Sequence, residues 1–397
     1  MKRWSFVIAS ALVVHLTTVG GAGAQAMKTP GQSSSQSNVV KPAPLDFSPE
    51  LLQSLRLPAG FKIEKFAEGL KTPRVIVVGP NGGLYVSSRD EGTITFLSDR
   101  GGTADGRRIV VQKPNVHGIA VREGELFYIT IREIFAAPIS TDGSIGTERR
   151  IASDLPDAGQ HPNRTIAFGL DGFLYVSVGS TCNDCEENNP ENATLLKMRP
   201  DGTGREIVAT GLRNTIGFAW EPRSGALYGL DNGVDTYGDD EQPEELNRIE
   251  PGKTYGWPFI LGAGMKHPLR EPKSGTLDDW DRNSVRPTLT YTAHAASMQL
   301  VFADGSNFPP EFRADAFATM HGSWNRKPPS GYEIVRIRFQ DGKPTTIEPF
   351  VSGFLLDQGG GRWARFARPF GLVVARDGSM LMGDEQNGII YRISHVP

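Results

Sequence analysis

The chain has 397 residues, a formal net charge of −3, and 38% aliphatic, aromatic or sulfur-containing residues. This charge balance excludes a broad basic surface for nucleic acid and a polybasic membrane patch. The 46 glycines and 28 prolines exceed the usual share of these residues and argue against a helical bundle. The composition therefore favours a turn-rich, all-β protein.

Residues 1–26 have the features of a secretory signal peptide. Two basic residues open the segment, an apolar stretch follows, and Ala24-Gln25-Ala26 has the small-x-small form of a cleavage site. A membrane anchor is the alternative, but His15 interrupts the apolar stretch, which is shorter than a spanning helix. We therefore predict cleavage near Ala26, export to the periplasm or the outside of the cell, and no stable membrane insertion.

Residues 27–56 are rich in Ser and Pro and are predicted to form a disordered lead. From 57 to 397 one pattern recurs six times: an apolar strand, a turn of Asp, Asn or Gly, and a second strand resembling Leu-Tyr-Val. The copies begin at Arg74, His117, Arg164, Arg213, Met298 and Arg368. The first three spacings match the roughly 40 to 50 residues of a propeller blade, and the last two require insertions. The pattern predicts a six-bladed β-propeller with four-stranded blades around a central channel; a pair of β-sandwiches is the alternative.

The first strand of each blade lines the channel, so the residues that lead these strands are expected to meet at one mouth. Turn residues such as Gly, Ser or Asp would be usual there. Instead these positions hold Arg74, His117, His161, Arg164, Arg213, Asn214 and Arg368. Because guanidinium groups pair with carboxylates and stack on flat rings, we predict a pocket for an anionic, planar ligand.

Several segments resemble the soluble pyrroloquinoline quinone (PQQ)-dependent sugar dehydrogenases, and most closely their sorbosone dehydrogenase-like branch. The matching segments are 179–185, 211–220, 231–233, 239–247, 255–258, 321–326 and 368–372. The resemblance extends from about Leu57 to Ser394. It implies a six-bladed propeller that holds PQQ and a calcium ion at the channel mouth, in agreement with the number of repeats.

The resemblance implies catalytic roles for two residues. His161 corresponds to the general base that accepts the proton of the sugar hydroxyl while hydride passes to the quinone. Its His-Pro-Asn-Arg segment is one residue shorter than in the glucose-oxidising branch. Arg213 corresponds to the cation that stabilises the charge developing on the quinone oxygen. The alternatives are a surface histidine and an arginine in a salt bridge between blades.

The resemblance also implies a set of cofactor and metal contacts. Asn214 is expected beside the reactive carbonyl of PQQ, and the backbone carbonyls of Gly233 and Val234 are expected to hold calcium. Side-chain ligation by the neighbouring acids is the alternative: Asp231, Asp235, Asp239 and Asp240. Further cofactor contacts are expected from Arg164, His117, Arg326, Lys327 and Arg368. For His117 a structural role in the channel is an equal alternative.

Cys182 and Cys185 form a Cys-x-x-Cys motif, which suits a redox pair or half of a zinc site. No second cysteine pair exists and the context is not βαβ, so an exported chain favours a small structural disulfide. We interpret Trp220, Trp257 and Trp324 as packing residues rather than platforms for sugars.

Together these observations predict an exported quinoprotein dehydrogenase. Its substrate would be a small sugar or sugar aldehyde such as sorbosone, and its electrons would pass to an acceptor such as a cytochrome or a quinone. One alternative is a calcium-dependent lactonase-like propeller hydrolase, which needs acidic and Asn side chains around its metal rather than arginines. Another is a binding-only propeller without cofactor.

Overall fold

The structure is a computed structural model and describes residues 37–99 and 102–396. The predicted signal peptide and the first ten residues of the predicted lead lie outside the described residues. The described helices are short: Pro49–Gln53 (α1), Leu277–Asn283 (α2) and Pro310–Arg313 (α3). In this part of the chain no helix has the length and apolar character needed to cross a membrane.

The described residues form thirty strands, numbered β1 to β30 in chain order. The first fifteen are Ala43–Pro44, Phe61–Ala67, Ile76–Val78, Leu84–Ser88, Thr93–Asp99, Ala104–Gln112, Ile119–Arg122, Glu125–Ile129, Ile134–Pro138, Arg149–Ala152, Ile166–Phe168, Leu174–Val178, Thr194–Met198, Glu206–Thr210 and Thr215–Trp220. The others are Leu227–Asp231, Glu244–Ile249, Lys253–Thr254, Ile260–Leu261, Met265–Lys266, Leu289–Tyr291, Ser297–Phe302, Ala316–Met320, Glu333–Gln340, Lys343–Val351, Leu355–Asp357, Trp363–Arg365, Pro369–Val374, Met380–Asp384 and Ile389–His395.

Six of the described sheets have four or five strands. Their strand orders are β3-β4-β5-β6, β7-β8-β9-β10, β11-β12-β13-β14-β18, β15-β16-β17-β21, β22-β23-β24-β25 and β28-β29-β30-β2. We number them sheets 1 to 6. Neighbouring strands are antiparallel apart from the β14–β18 pair. The prediction of an all-β fold built on four-stranded antiparallel sheets is confirmed.

Each predicted repeat supplies the first two strands of one sheet. The apolar segments form β3, β7, β11, β15, β22 and β28, and the following segments form β4, β8, β12, β16, β23 and β29. All five residues of Leu84–Ser88 and all five of Leu174–Val178 are buried, because both faces of these strands are covered. Phe61–Ala67 completes sheet 6 by pairing with Ile389–His395, so the two ends of the described chain close one sheet.

Glycines let the first strands of neighbouring sheets approach closely. A Cβ atom added at Gly217 would lie 2.0 Å from the backbone oxygen of Met298. One added at Gly371 would lie 2.2 Å from the backbone oxygen of Arg74. No side chain fits at such distances, so sheet 4 packs directly on sheet 5, and sheet 6 on sheet 1. This close packing brings together the residues that lead the first strands.

Residues 37–56 do not form the disordered lead predicted for them. Ala43–Pro44 pairs in parallel with β27, and Ser48 caps α1 by accepting a hydrogen bond from the backbone N–H of Leu51. Four apolar side chains of this segment pack against the core between sheets 5 and 6: Leu45, Phe47, Leu51 and Leu52. The prediction is wrong here because composition does not reveal that distant strands provide an apolar surface for these residues.

Candidate active site

Hydrogen bonds join five of the six sheets at the ends where the first strands begin. They connect Arg89 to Asn163 (2.7 Å), Ser180 to Arg213 (2.7 Å), Asn232 to Ser297 (3.0 Å), Arg368 to His321 (2.9 Å) and Arg74 to Glu385 (2.6 Å). In sheet order these bonds link sheets 1 and 3, 3 and 4, 4 and 5, 5 and 6, and 6 and 1. We call the region formed by these ten residues, with His161 and Asn214, the mouth.

The imidazole of His161 is held through one of its nitrogens. Nδ1 lies 2.8 Å from the backbone oxygen of Ser180 and 2.8 Å from its Oγ. The Ser180 hydroxyl donates to the backbone oxygen of Cys182 (2.7 Å), so Nδ1 carries the proton and donates to Ser180. Nε2 is therefore the nitrogen with the free lone pair, and no described residue hydrogen-bonds to it.

The environment of His161 keeps the ring neutral. Burial lowers the pKa of His161 to about 3, and the positive charge of Arg213 adds to this effect. A Cβ atom at Gly179 would lie 2.8 Å from Cβ of His161 and 3.0 Å from Oδ1 of Asn214. Gly179 thus leaves the space in which these two half-buried side chains converge.

Arg213 lies in the wall of the mouth. Nε donates to the backbone oxygen of Asn183 (2.9 Å), Nη2 to its Oδ1 (2.8 Å), and Nη1 to the backbone oxygen of Asn232 (3.0 Å). The side chain is only 3% exposed, and its nearest carboxylate is Asp235 at 3.7 Å. The predicted alternative, a salt bridge between blades, is not what holds this guanidinium; neutral oxygens of two loops do.

Asp231 fixes the start of β15 below the mouth. Its carboxylate accepts from the backbone N–H groups of Arg213 (2.8 Å) and Asn214 (2.7 Å) and from the hydroxyl of Thr215 (2.8 Å). Burial raises the pKa of Asp231 to about 6. The Asp231 carboxylate therefore holds the backbone from which the Arg213 and Asn214 side chains extend.

A second polar cluster joins sheets 5, 6 and 1. Nη2 of Arg368 donates to Nδ1 of His321, whose Nε2 contacts the Glu385 carboxylate, and Arg74 donates to the other oxygen of Glu385. Burial lowers the pKa of His321 to about 4, so its ring is neutral. Burial alone would raise the pKa of Glu385, but His321 and the two guanidinium groups hold it well below its usual value. Arg368 thus has the position expected of it, with partners that the sequence did not reveal.

His117 lies deeper than the mouth. The side chain is fully buried, Nδ1 lies 2.9 Å from the backbone oxygen of Arg164, and Nε2 is buried without a described partner. Its ring meets the edge of the Phe370 ring, over which the Arg74 guanidinium lies 4.5 Å from the centroid. This burial favours the structural alternative for His117 over a cofactor contact.

Arg164 does not have the position expected of a cofactor ligand. Its side chain is fully buried. Its Nη2 donates to the backbone oxygens of Pro156 (3.0 Å) and Asp157 (3.2 Å). Loop carbonyls thus already satisfy this guanidinium, which argues against the expected contact of Arg164 with the cofactor.

The segment after His321 carries the other two predicted cations. Arg326 is mostly buried and donates to Asp240 (3.0 Å), while Lys327 is exposed. Trp324 precedes these two cations in the same segment and is 46% exposed. Trp257 is buried as expected, whereas the exposure of Trp324 places its side chain outside the core.

The backbone carbonyl oxygens of Gly233 and Val234 are hydrogen-bond acceptors without a donor among the described residues. Val234 donates its own N–H to Oε1 of Gln242 (3.2 Å) and is fully buried. Two free carbonyls in one tight loop are suitable ligands for a hard cation such as calcium.

The structure joins Cys182 to Cys185 in a disulfide, as expected. Within the described residues the one group with metal-ligand spacing is Cys182, Cys185 and Glu187. Because both thiols are consumed by the disulfide, this group is not a zinc site.

Sequence reasoning missed the roles of four residues: Asn183 as the partner of Arg213, Asp231 as the cap of β15, His321 as the partner of Arg368, and Glu385 as the partner of Arg74. The sequence held a signal for two of these residues, Asp231 and Glu385. Asp231 and Asp384 both end the second strand of a repeat and both cap the Arg that leads its first strand. Glu385 directly follows such an aspartate.

The sheets and the mouth define an all-β protein with an arginine-rich site at one end of its sheets. The chain belongs to the TrAA12-like family, whose model matches residues 55–256 and 261–396. Its resemblance to soluble PQQ-dependent sugar dehydrogenases is confirmed by this match and by curated relatives.

Two relatives illustrate the match. The pyrroloquinoline quinone-dependent pyranose dehydrogenase of Coprinopsis cinerea is 24% identical over 412 residues, covering 88% of this chain but 56% of that protein. An uncharacterized protein of Borreliella burgdorferi is 28% identical over 363 residues, covering 87% of this chain and 92% of that protein. The chain thus spans little more than half of the Coprinopsis enzyme.

Solved structures show the same fold at low sequence identity. A calcium structure of the Trichoderma reesei family AA12 enzyme has a TM-score of 0.75 at 20% identity, covering 86% of this chain and 97% of that one. The holo form of the PQQ domain of Coprinopsis cinerea pyranose dehydrogenase has a TM-score of 0.74, also at 20% identity, with the same coverage.

Proposed function

We propose that sheets 1 to 6 are the blades of a six-bladed β-propeller and that the chain is an exported quinoprotein dehydrogenase. It would oxidise an aldose, or a sugar aldehyde such as sorbosone, at the anomeric or carbonyl carbon. A cytochrome or a quinone would take the electrons onward. PQQ, when bound, supplies the carbon that accepts hydride, a chemistry that no side chain provides.

The arginines of the mouth fit a ligand with several carboxylates. Arg74 and Arg368 each keep a buried Nε–H without a hydrogen-bond partner among the described residues, and so does Arg326 in the segment after His321. Guanidinium donors pair strongly with carboxylates. We assign the carboxylates of PQQ to Arg326 and Arg368, with the exposed Lys327 following Arg326 in the chain, and the reactive carbonyl of PQQ to Asn214.

The carbonyls of Gly233 and Val234 would hold the calcium ion. Their lack of hydrogen-bond donors supports this assignment, since a free backbone oxygen needs no side chain to bind a hard cation. The family resemblance in this segment and the calcium structure of the Trichoderma reesei enzyme agree with it.

The observation that carries the proposal is the state of His161. A ring that is neutral, anchored through Nδ1–H and open at Nε2 is ready to accept a proton from a substrate hydroxyl. Arg213, close enough to lower the pKa of His161, supplies positive charge where negative charge develops during hydride transfer.

Reconstitution of the purified protein tests the proposal. We expect dye reduction with a panel of aldoses and sugar aldehydes only when both PQQ and calcium are added. A chelator should abolish the activity, and excess calcium should restore it. Lactone hydrolysis without PQQ would favour the hydrolase, and absence of both activities with retained sugar binding would favour the binding-only propeller.

A further inference from the structure

We propose that the Cys182–Cys185 loop is a positioning device for Arg213, with Asn183 as the residue that holds the guanidinium. The functional part of this inference rests on the proposed role of Arg213. In this proposal the disulfide also orients a residue of the active site, in addition to the structural role expected from the sequence.

Asn183 is the main partner of the Arg213 side chain. Its backbone oxygen accepts from Nε (2.9 Å) and its side-chain oxygen from Nη2 (2.8 Å), so one residue binds two N–H groups along one edge of the guanidinium. Two such bonds fix both the distance and the plane of a flat group. The plane of Arg213 is therefore set by the conformation of the loop that carries Asn183.

The same side chain reaches the loop that contains the candidate calcium ligands. Oδ1 of Asn183 accepts from the backbone N–H of Asp235 (3.0 Å), and Nδ2 donates to Thr236 (3.3 Å). Asp235 directly follows Val234. Asn183 thus holds Arg213 and the carbonyl-bearing segment in one arrangement.

Asp184, the residue after Asn183, also anchors the loop. The Asp184 carboxylate accepts from the hydroxyl of Tyr237 (2.5 Å) and lies 3.0 Å from Nε2 of His267, both of which are buried. Its backbone oxygen accepts from Arg270 (2.8 Å). Asn183 and Asp184 therefore bind several partners at once, which requires a particular backbone shape at the two central residues.

The disulfide supplies that shape. Residues 181–187 belong to no helix or strand, so no backbone ladder fixes them. The covalent link closes the loop around Asn183 and Asp184 and removes alternative conformations from it. Catalytic redox chemistry is a poor explanation, because the pair lies in a loop between two β-strands rather than in the βαβ context of thioredoxin-like motifs.

The test compares PQQ binding, followed by absorbance titration, in folded variants well below their melting temperatures. Asn183→Ala and the double variant Cys182→Ser/Cys185→Ser should each weaken PQQ binding at least about 10-fold, since a hydrogen bond to a charged group is lost or misplaced. Asn189→Ala is the matched control, because Asn189 is exposed and caps only the N–H of Glu191. A purely structural disulfide would lower the melting temperature and leave the affinity unchanged, and that result would overturn the proposal.

A second measurement needs no cofactor. In a double-mutant cycle on the apoprotein, Asn183→Ala should raise the unfolding equilibrium constant about 10-fold more in the unaltered protein than in an Arg213→Gln background, because the bonds to Asp235 and Thr236 are lost in both. Equal effects in both backgrounds would overturn the positioning claim. If the unaltered protein fails to bind PQQ, the proposed function fails, and the cycle still decides whether Asn183 positions Arg213.

Discussion

Nδ1 of His161 donates to the backbone oxygen of Ser180, 2.8 Å away, and this one bond determines which ring nitrogen is free. The Ser180 hydroxyl cannot supply the proton because it donates to Cys182. A backbone acceptor holds the ring in this tautomer without carrying charge of its own. In the proposed reaction the free lone pair of Nε2 accepts the proton of the substrate hydroxyl.

Replacement of His161 should separate chemistry from cofactor binding. We expect His161→Gln to bind PQQ normally but to lower turnover at least about 100-fold, the usual contribution of a positioned base. Stopped-flow reduction of the bound cofactor measures the chemical step, with His395→Gln, outside the mouth, as control. Reduction at the unaltered rate in His161→Gln would refute the assignment of the base.

His117 should make the fold sensitive to acid. Burial lowers the pKa of His117 to about 3, against about 6.5 in an unfolded chain, so the unfolded state binds the proton first as pH falls. Stability is therefore complete above about pH 6.5 and declines toward pH 3. Relative to His117→Gln, the free energy of unfolding should fall by on the order of 2 to 3 kcal/mol between pH 6.5 and 4.5. Urea titrations at several pH values measure this difference, and parallel pH profiles would contradict it.

Removal of the Glu385 charge should lower the free energy of unfolding substantially. The carboxylate lies between Arg74 and His321 with its side chain 11% exposed, so Glu385→Gln leaves buried guanidinium groups without their counter-charge. We expect a loss of about 3 kcal/mol in the free energy of unfolding. Glu91→Gln is the matched control, because its 3.5 Å pair with Lys71 is exposed and is worth about 0 to 1 kcal/mol. Similar losses in the two variants would show that the cluster is not an effective ion network.

The segment before α1 should stabilise the fold. Asn38 binds Asp239 (2.7 Å), Val40 donates its N–H to Trp324 (3.0 Å), and the backbone oxygen of Leu45 accepts from Gln386 (2.7 Å). A chain beginning at residue 46 should melt on the order of 2 to 4 °C below one beginning at residue 37, because these bonds are lost. Calorimetry of the two chains provides the measurement. Identical melting temperatures would mean that the segment contributes nothing to the fold.

The sequence alone determined the repeats and the residues that lead them. Each copy is a local pattern of strand, turn and strand, and period and turn chemistry depend on neighbours along the chain. Arg213, Asn214 and Arg368 could therefore be placed at the ends of first strands before the structure was known. The role of His161 as a base and that of the Gly233 loop came from the resemblance to a known family.

The tertiary structure alone decided which of these residues face the mouth. Arg164 and Arg368 lead their strands in the same way, yet Arg164 is satisfied by the carbonyls of a nearby loop and Arg368 by His321. The partner of Arg213, Asn183, lies 30 positions away in the chain. A side chain's direction depends on the donors and acceptors that folding brings beside it, and these partners come from other sheets and loops that no local pattern specifies.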